Sequence, residues 1–143
     1  MTAPAEVSIR SFRESDRASL SRLWTEVFSD DRPRNAPDRM IDGALSIRPE
    51  TLLIAESDGT LVGALIAGFD GVRGWIYHLA VAPQHRRCGI ATRLMRAAEA
   101  ALRSLGCCKI NLQVMETNAS VVAFYRSLGY HVEERISMGR SLE

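Results

Sequence analysis

A chain of 143 residues that is 46% hydrophobic and 24% charged can bury one sizeable core without disulfides or a metal, and its composition is far from that of a disordered segment. The formal charge of +1, with basic residues spread along the chain, supplies no stripe that tracks a phosphate backbone and argues against a nucleic-acid partner. The cysteines Cys88, Cys107 and Cys108 form no C-x-x-C pair, which argues against a disulfide framework and a thiolate metal site.

Residues 6–12 alternate Val7, Ile9 and Ser11 against Ser8, Arg10 and Phe12, the pattern of a short strand. A helix is expected next, capped by Ser15 or Asp16, with Leu20, Leu23, Trp24, Val27 and Phe28 on one apolar face. The polar, proline-bearing stretch 30–37 reads as a loop. Residues 38–47 read as a second helix with Met40, Ile41, Ala44 and Leu45 inward. Loop and second helix together predict a substrate-side lid.

Residues 51–56 and 61–69 are β-rich runs joined by Ser57-Asp58-Gly59-Thr60, and Asp-Gly signals a hairpin. Residues 75–82 form an apolar strand, expected to be buried on both faces, that ends at Pro83. A helix over 90–105 follows, with Ile90, Leu94, Ala98, Ala101, Leu102 and Leu105 inward and Gly106 as its stop. The alternation of Ile110, Leu112 and Val114 predicts a strand over 109–115, parallel to the strand before the helix. Thr117 or Asn118 caps a last helix that ends at Gly129, and 131–142 predicts a closing pair of strands. This order describes a single α/β domain over 1–143, a mixed sheet with helices on both faces.

Chemistry concentrates at the strand-to-helix junction Pro83-Gln84-His85-Arg86-Arg87-Cys88-Gly89-Ile90-Ala91-Thr92. The first N–H groups of a helix lack intrahelical partners and carry the positive end of its dipole, so a diphosphate can accept several bonds there. Gly89 permits close approach, Ala91 avoids a bulky side chain, and Arg86 and Arg87 add positive charge. A Gly-rich turn taken alone is equally consistent with a structural bend and solvated arginines.

Its neighbours sharpen the reading. Leu79-Ala80-Val81-Ala82-Pro83 followed by Arg86-x-x-Gly89-x-Ala91, then Asn118 and the segment Ala123-Phe124-Tyr125-Arg126-Ser127-Leu128-Gly129-Tyr130, resembles the GNAT family of N-acetyltransferases, especially small bacterial members including the type that acetylates ribosomal-protein N-termini. The resemblance covers nearly the whole chain. It implies a mostly antiparallel sheet whose central parallel pair splays apart at the cofactor. It also implies acetyl-CoA as cosubstrate, with the strand residues Leu79, Ala80 and Val81 along the pantetheine arm. The turn Arg86, Arg87, Cys88, Gly89, Ile90, Ala91 and Thr92 would take the diphosphate, and Asn118 would contact the cofactor arm. Tyr125 would be the acid that protonates the departing thiolate.

The acceptor is then a primary amine, small molecule or peptide N-terminus, attacking directly in a ternary complex without a metal. Its base is open. The ribosomal-type relatives carry a glutamate where this chain has Gln113, which accepts no proton, and His78 or Glu116 can act in its place. Trp24, Trp75 and Tyr77 are either pocket-lining or core aromatics, and Asp30 and Asp31 can draw a cationic acceptor toward the loop. Residues 1–6 lack the apolar core of a signal peptide and no apolar run is long enough to span a bilayer, which predicts a cytoplasmic chain; the oligomeric state is open, a homodimer included. Two other readings compete: an acyl-CoA-binding regulatory module without turnover, suggested by Gln113, and a redox protein working through Cys88 beside two arginines.

Overall fold

The computed structural model describes residues 6–29 and 32–143, in two compact units, Met1–Leu112 and Gln113–Glu143, which are taken in turn. Asp30 and Asp31 lie outside the described residues.

In the first unit, five strands follow one another in the sheet in chain order: β1 (Val7–Ser11), β2 (Leu52–Ser57), β3 (Thr60–Phe69), β4 (Gly74–Val81) and β5 (Ile110–Leu112). Every neighbouring pair is antiparallel except β4 and β5, which are parallel. The helix α3 (Ile90–Ser104) supplies the crossover that a parallel pair requires. The helices α1 (Arg17–Val27) and α2 (Pro37–Ile47) come before β2.

The helices divide between the faces of the sheet. Leu20, Leu23 and Trp24 of α1 and Ile41 of α2 share a core cluster with Leu52, Ile54, Ala64, Ile66 and Ala80. Val27, Phe28, Met40, Ala44 and Leu45 pack against that cluster, as the helical spacing predicts, and Phe12 after β1 joins them. Arg17 ties the two helices at the surface, donating to Asp38 at 3.1 Å and to Asp42 at 2.8 Å. The other face belongs to α3. Gly63 of β3 passes so close beneath it that a Cβ there would meet Leu94 Cδ1 at 3.1 Å and Ile90 Cγ2 at 3.2 Å.

Asp16 does not cap α1 through its side chain. Its carboxylate instead accepts the Arg13 N–H and both terminal nitrogens of Arg10, each at 2.8 Å. The Arg10 guanidinium, bound first of all by hydrogen bonds, holds this buried carboxyl below the usual aspartate range. The α3 stripe also differs from expectation. Met95 is fully buried, whereas Leu105 falls beyond the helix end and is 38% exposed. Gly106, at φ 91°, sits where the chain turns: its N–H bonds Arg103 O and the Cys107 N–H bonds Leu102 O, a Schellman termination.

Three strand expectations need correction. β5 covers Ile110–Leu112 rather than 109–115. Its registered pairs end at Ile76↔Leu112, because β4 then enters a bulge and a regular parallel ladder cannot follow a partner that changes register. β4 is not buried on both faces, since Tyr77 is 47% exposed. Among the described residues, 131–142 contains no strand, and Val132, Ile136, Met138 and Leu142 are exposed. The consecutive charges Glu133-Glu134-Arg135 break the two-residue period that a half-buried strand needs.

In the second unit the helix α4 (Ala119–Ser127) is capped by Asn118, whose side chain accepts the Val121 N–H at 3.4 Å. It ends in a second Schellman turn at Gly129, φ 98°, where the Gly129 N–H bonds Arg126 O and the Tyr130 N–H bonds Tyr125 O. That turn brings the Tyr130 ring against Tyr125 at 5.7 Å, edge to face.

Candidate active site

The site is built on the last half of β4 and the turn that follows it. On β3, Ala64 pairs with Ala80 and Ile66 with Tyr77, so the single residue Leu65 stands opposite both His78 and Leu79. This is a β-bulge, and His78 takes the left-handed backbone it needs, at φ 55°. The bulge reverses the faces of β4: Gly74 before it lies against Leu102 of α3, whereas Ala80 after it lies in the α1 cluster.

The backbone direction of this segment follows from one bond. The Ala82 N–H donates to Val62 O at 2.8 Å, so Ala82 and, two residues back, Ala80 direct their backbone polar groups toward β3. Leu79 and Val81 direct theirs to the opposite edge. The sequence expectation for these two residues needs that orientation.

From Pro83 the chain makes a 3₁₀ turn to His85 and reaches α3 through four exposed residues, Arg86, Arg87, Cys88 and Gly89. Arg87 has φ 63° and Gly89, the N-cap of α3, has φ 76°. Left-handed residues alternating with their neighbours turn successive N–H groups toward one concavity, which suits an anion. The first-turn amides of Ile90, Ala91 and Thr92 add the orphan donors of the helix end. A Cβ at Gly89 would meet no protein atom within 4 Å, so the glycine answers to backbone conformation, and the space beside it is open to a ligand. Cys88 directs its thiol to Arg86 O at 3.5 Å.

A cavity of about 50 Å³ lies on the α1 face of the bulge, lined by Trp24, Thr25, Phe28, Asn35, Pro37 and His78. The imidazole of His78 packs edge-on to Trp24 at 5.2 Å and tilted against Phe28 at 4.7 Å. Trp24 Nε1 donates to His78 O at 3.0 Å, fixing the strained residue from the helix side. Of the aromatics that the sequence offered for a pocket, Trp24 lines this cavity; Trp75 and Tyr77 do not. Phe28, Thr25, Asn35 and Pro37 were not singled out, although Phe28 stands one helical turn after Trp24 on the same apolar face.

In the second unit Tyr125 is 8% exposed, between Phe124 and Tyr130. Burial pushes its phenol up to about 12, so it is a proton donor at neutral pH. Gln113 Nε2 donates to Ser137 Oγ, and Glu116 is exposed. Asn118 spends its side-chain oxygen on the helix cap, which leaves its amide as the donor half. Among the described residues, no group of three or more His, Cys, Asp or Glu side chains is arranged to hold a metal ion, and no helix is long and apolar enough to cross a membrane.

Residues 17–130 match the family model described as Acetyltransferase (GNAT) family. The chain belongs to the GNAT acetyltransferases. An acetyltransferase of Yersinia pestis (strain Pestoides F) is 38% identical to it over 136 residues, 95% of this chain and 96% of that protein. Among solved structures, the aminoglycoside N-acetyltransferase AAC(6')-Iy in complex with CoA superposes with a TM-score of 0.79 at 18% identity, covering 99% of both chains. Naa50 of Arabidopsis thaliana, in complex with the bisubstrate analogue CoA-Ac-MVNAL, gives 0.76 at 23% identity over 90% of this chain and 85% of its own. These likenesses establish the GNAT fold, with its parallel pair at β4 and β5.

Proposed function

We propose that this GNAT chain, acting as one domain over 1–143, moves the acetyl group of acetyl-CoA to a primary amine by direct attack in a ternary complex. The observation that carries the reading is the exposed turn of Arg86 to Gly89. Its left-handed Arg87 and Gly89 open onto the N-terminus of α3, beside a strand segment whose Leu79 and Val81 backbone groups face away from β3. The turn suits a diphosphate, and Arg86 and Arg87 suit its charge. The strand edge suits the amides of a pantetheine arm. A strand N–H aimed at the thioester carbonyl stabilises the oxyanion that forms on attack, and Tyr125 supplies the proton that the thiolate takes as it leaves. The amine class is supported by the fold neighbours, one named for aminoglycosides and one holding a peptide-based bisubstrate analogue. We place the reaction in the cytoplasm.

The second reading, a sensor that binds acyl-CoA without turnover, is favoured by Gln113, whose amide is engaged with Ser137 and takes up no proton. Calorimetric titration of acetyl-CoA tests the donor site that both readings share. Wild type is expected to bind. Gly89→Val, which forces a β-branched residue to positive φ in a turn with open surroundings, is expected to weaken binding at least ~10-fold while costing about 1–2 kcal/mol of stability. Wild type that takes up no acetyl-CoA contradicts both readings.

A further inference from the structure

A half-buried histidine within a strand usually needs no functional explanation, but His78 combines three features that packing alone does not require. It occupies a left-handed backbone conformation that few residues other than glycine adopt. Its carbonyl is tied to Trp24 Nε1 and its ring is held between Trp24 and Phe28. Among the described residues around the cavity it is also the one titratable member, the others being Trp24, Thr25, Phe28, Asn35 and Pro37. The bulge that creates this conformation is formed by His78 and Leu79 opposite Leu65, so His78 immediately precedes the proposed thioester strand.

From this arrangement we infer that His78 is the proton acceptor for the attacking amine and that its cavity is the acceptor side of the site. The inference rests on the acetyltransferase reading above. A space of about 50 Å³ takes an amino group and the first carbons attached to it, and Trp24 and Phe28 give it aromatic walls. Thr25 and Asn35 offer polar atoms to orient it.

An ammonium gives one N–H proton to a ring nitrogen of His78, and the freed lone pair attacks the thioester carbonyl carbon. The C–N bond forms and the C–S bond breaks with its electron pair on sulfur. Tyr125 gives sulfur a proton and regains through solvent the second proton that the nitrogen sheds, while His78 returns the first to solvent. Ammonium and thioester thus become amide, thiol and one released proton.

The test uses the full chain with the best acceptor from an amine panel. Asparagine tolerates left-handed backbone, so His78→Asn removes the imidazole while keeping the bulge. It is expected to lower kcat ~10²–10⁴-fold, to leave acetyl-CoA affinity within twofold of wild type, and to regain activity when free imidazole is added. If His78→Asn fails to fold, ethoxycarbonylation of wild type with diethyl pyrocarbonate answers the same question. Activity should vanish as His78, rather than His85 or His131, is modified, and saturating acceptor should protect it. A folded His78→Asn with undiminished kcat, or loss of activity that follows His85 or His131, overturns the base assignment alone. A wild type that acetylates no amine overturns the acetyltransferase reading and the base together.

Discussion

A phenol kept from water holds its proton, and Tyr125 shows how local structure arranges this. The Schellman turn at Gly129 folds Tyr130 back over Tyr125, and Phe124 covers another side. With its phenol pushed up to about 12, Tyr125 keeps a proton in the folded chain that the unfolded chain loses from about pH 10. The folded state therefore binds more protons between those values, so stability is unaffected below about pH 10 and falls as pH rises through the window. Ultraviolet titration should show a late phenol step that is absent in Tyr125→Phe. The same variant should bind acetyl-CoA normally and lose ~10²-fold or more in kcat. A late step that survives the substitution assigns the raised value elsewhere, and an unchanged kcat removes Tyr125 as the acid.

At the scale of elements, α3 presents its N-terminus at the end of β4 because Gly63 lets the helix settle onto the sheet. A side chain there would press on Ala80 O at 3.1 Å as well as on Leu94 and Ile90, and a backbone oxygen gives way less readily than a side-chain end. Gly63→Val is expected to cost about 1–3 kcal/mol in denaturant unfolding and to weaken acetyl-CoA binding by shifting the α3 N-terminus. Undiminished stability would mean that β3 has slack beneath the helix. The helices and the β2–β3 hairpin were legible in the sequence, because a 3.6-residue apolar stripe and an Asp-Gly turn are local signals. The bulge was not. Nothing in Tyr77-His78-Leu79 marks one extra residue, and only pairing with β3 shows that Leu65 faces two partners. For the same reason the face reversal of β4 and the early end of β5 escaped a reading based on alternation, and the cavity around His78 was seen only in part, through Trp24 and His78.

At the scale of the whole fold, a GNAT sheet with α1 and α2 on one face and α3 on the other gives β4 different neighbours on its two sides. On the proposed reading the Arg86–Thr92 turn, legible as a motif with Leu79–Val81 before it, serves the donor. On the same reading the cavity beneath α1, which depends on residues far apart in the chain, serves the acceptor. The most direct test of acetyl transfer is mass spectrometry of wild type incubated with acetyl-CoA and a panel of small amines and peptides. At least one amine is expected to gain the mass of a single acetyl group, in step with release of free CoA thiol. Acetyl-CoA bound by the protein yet returned intact beside an unmodified panel would contradict acetyl transfer.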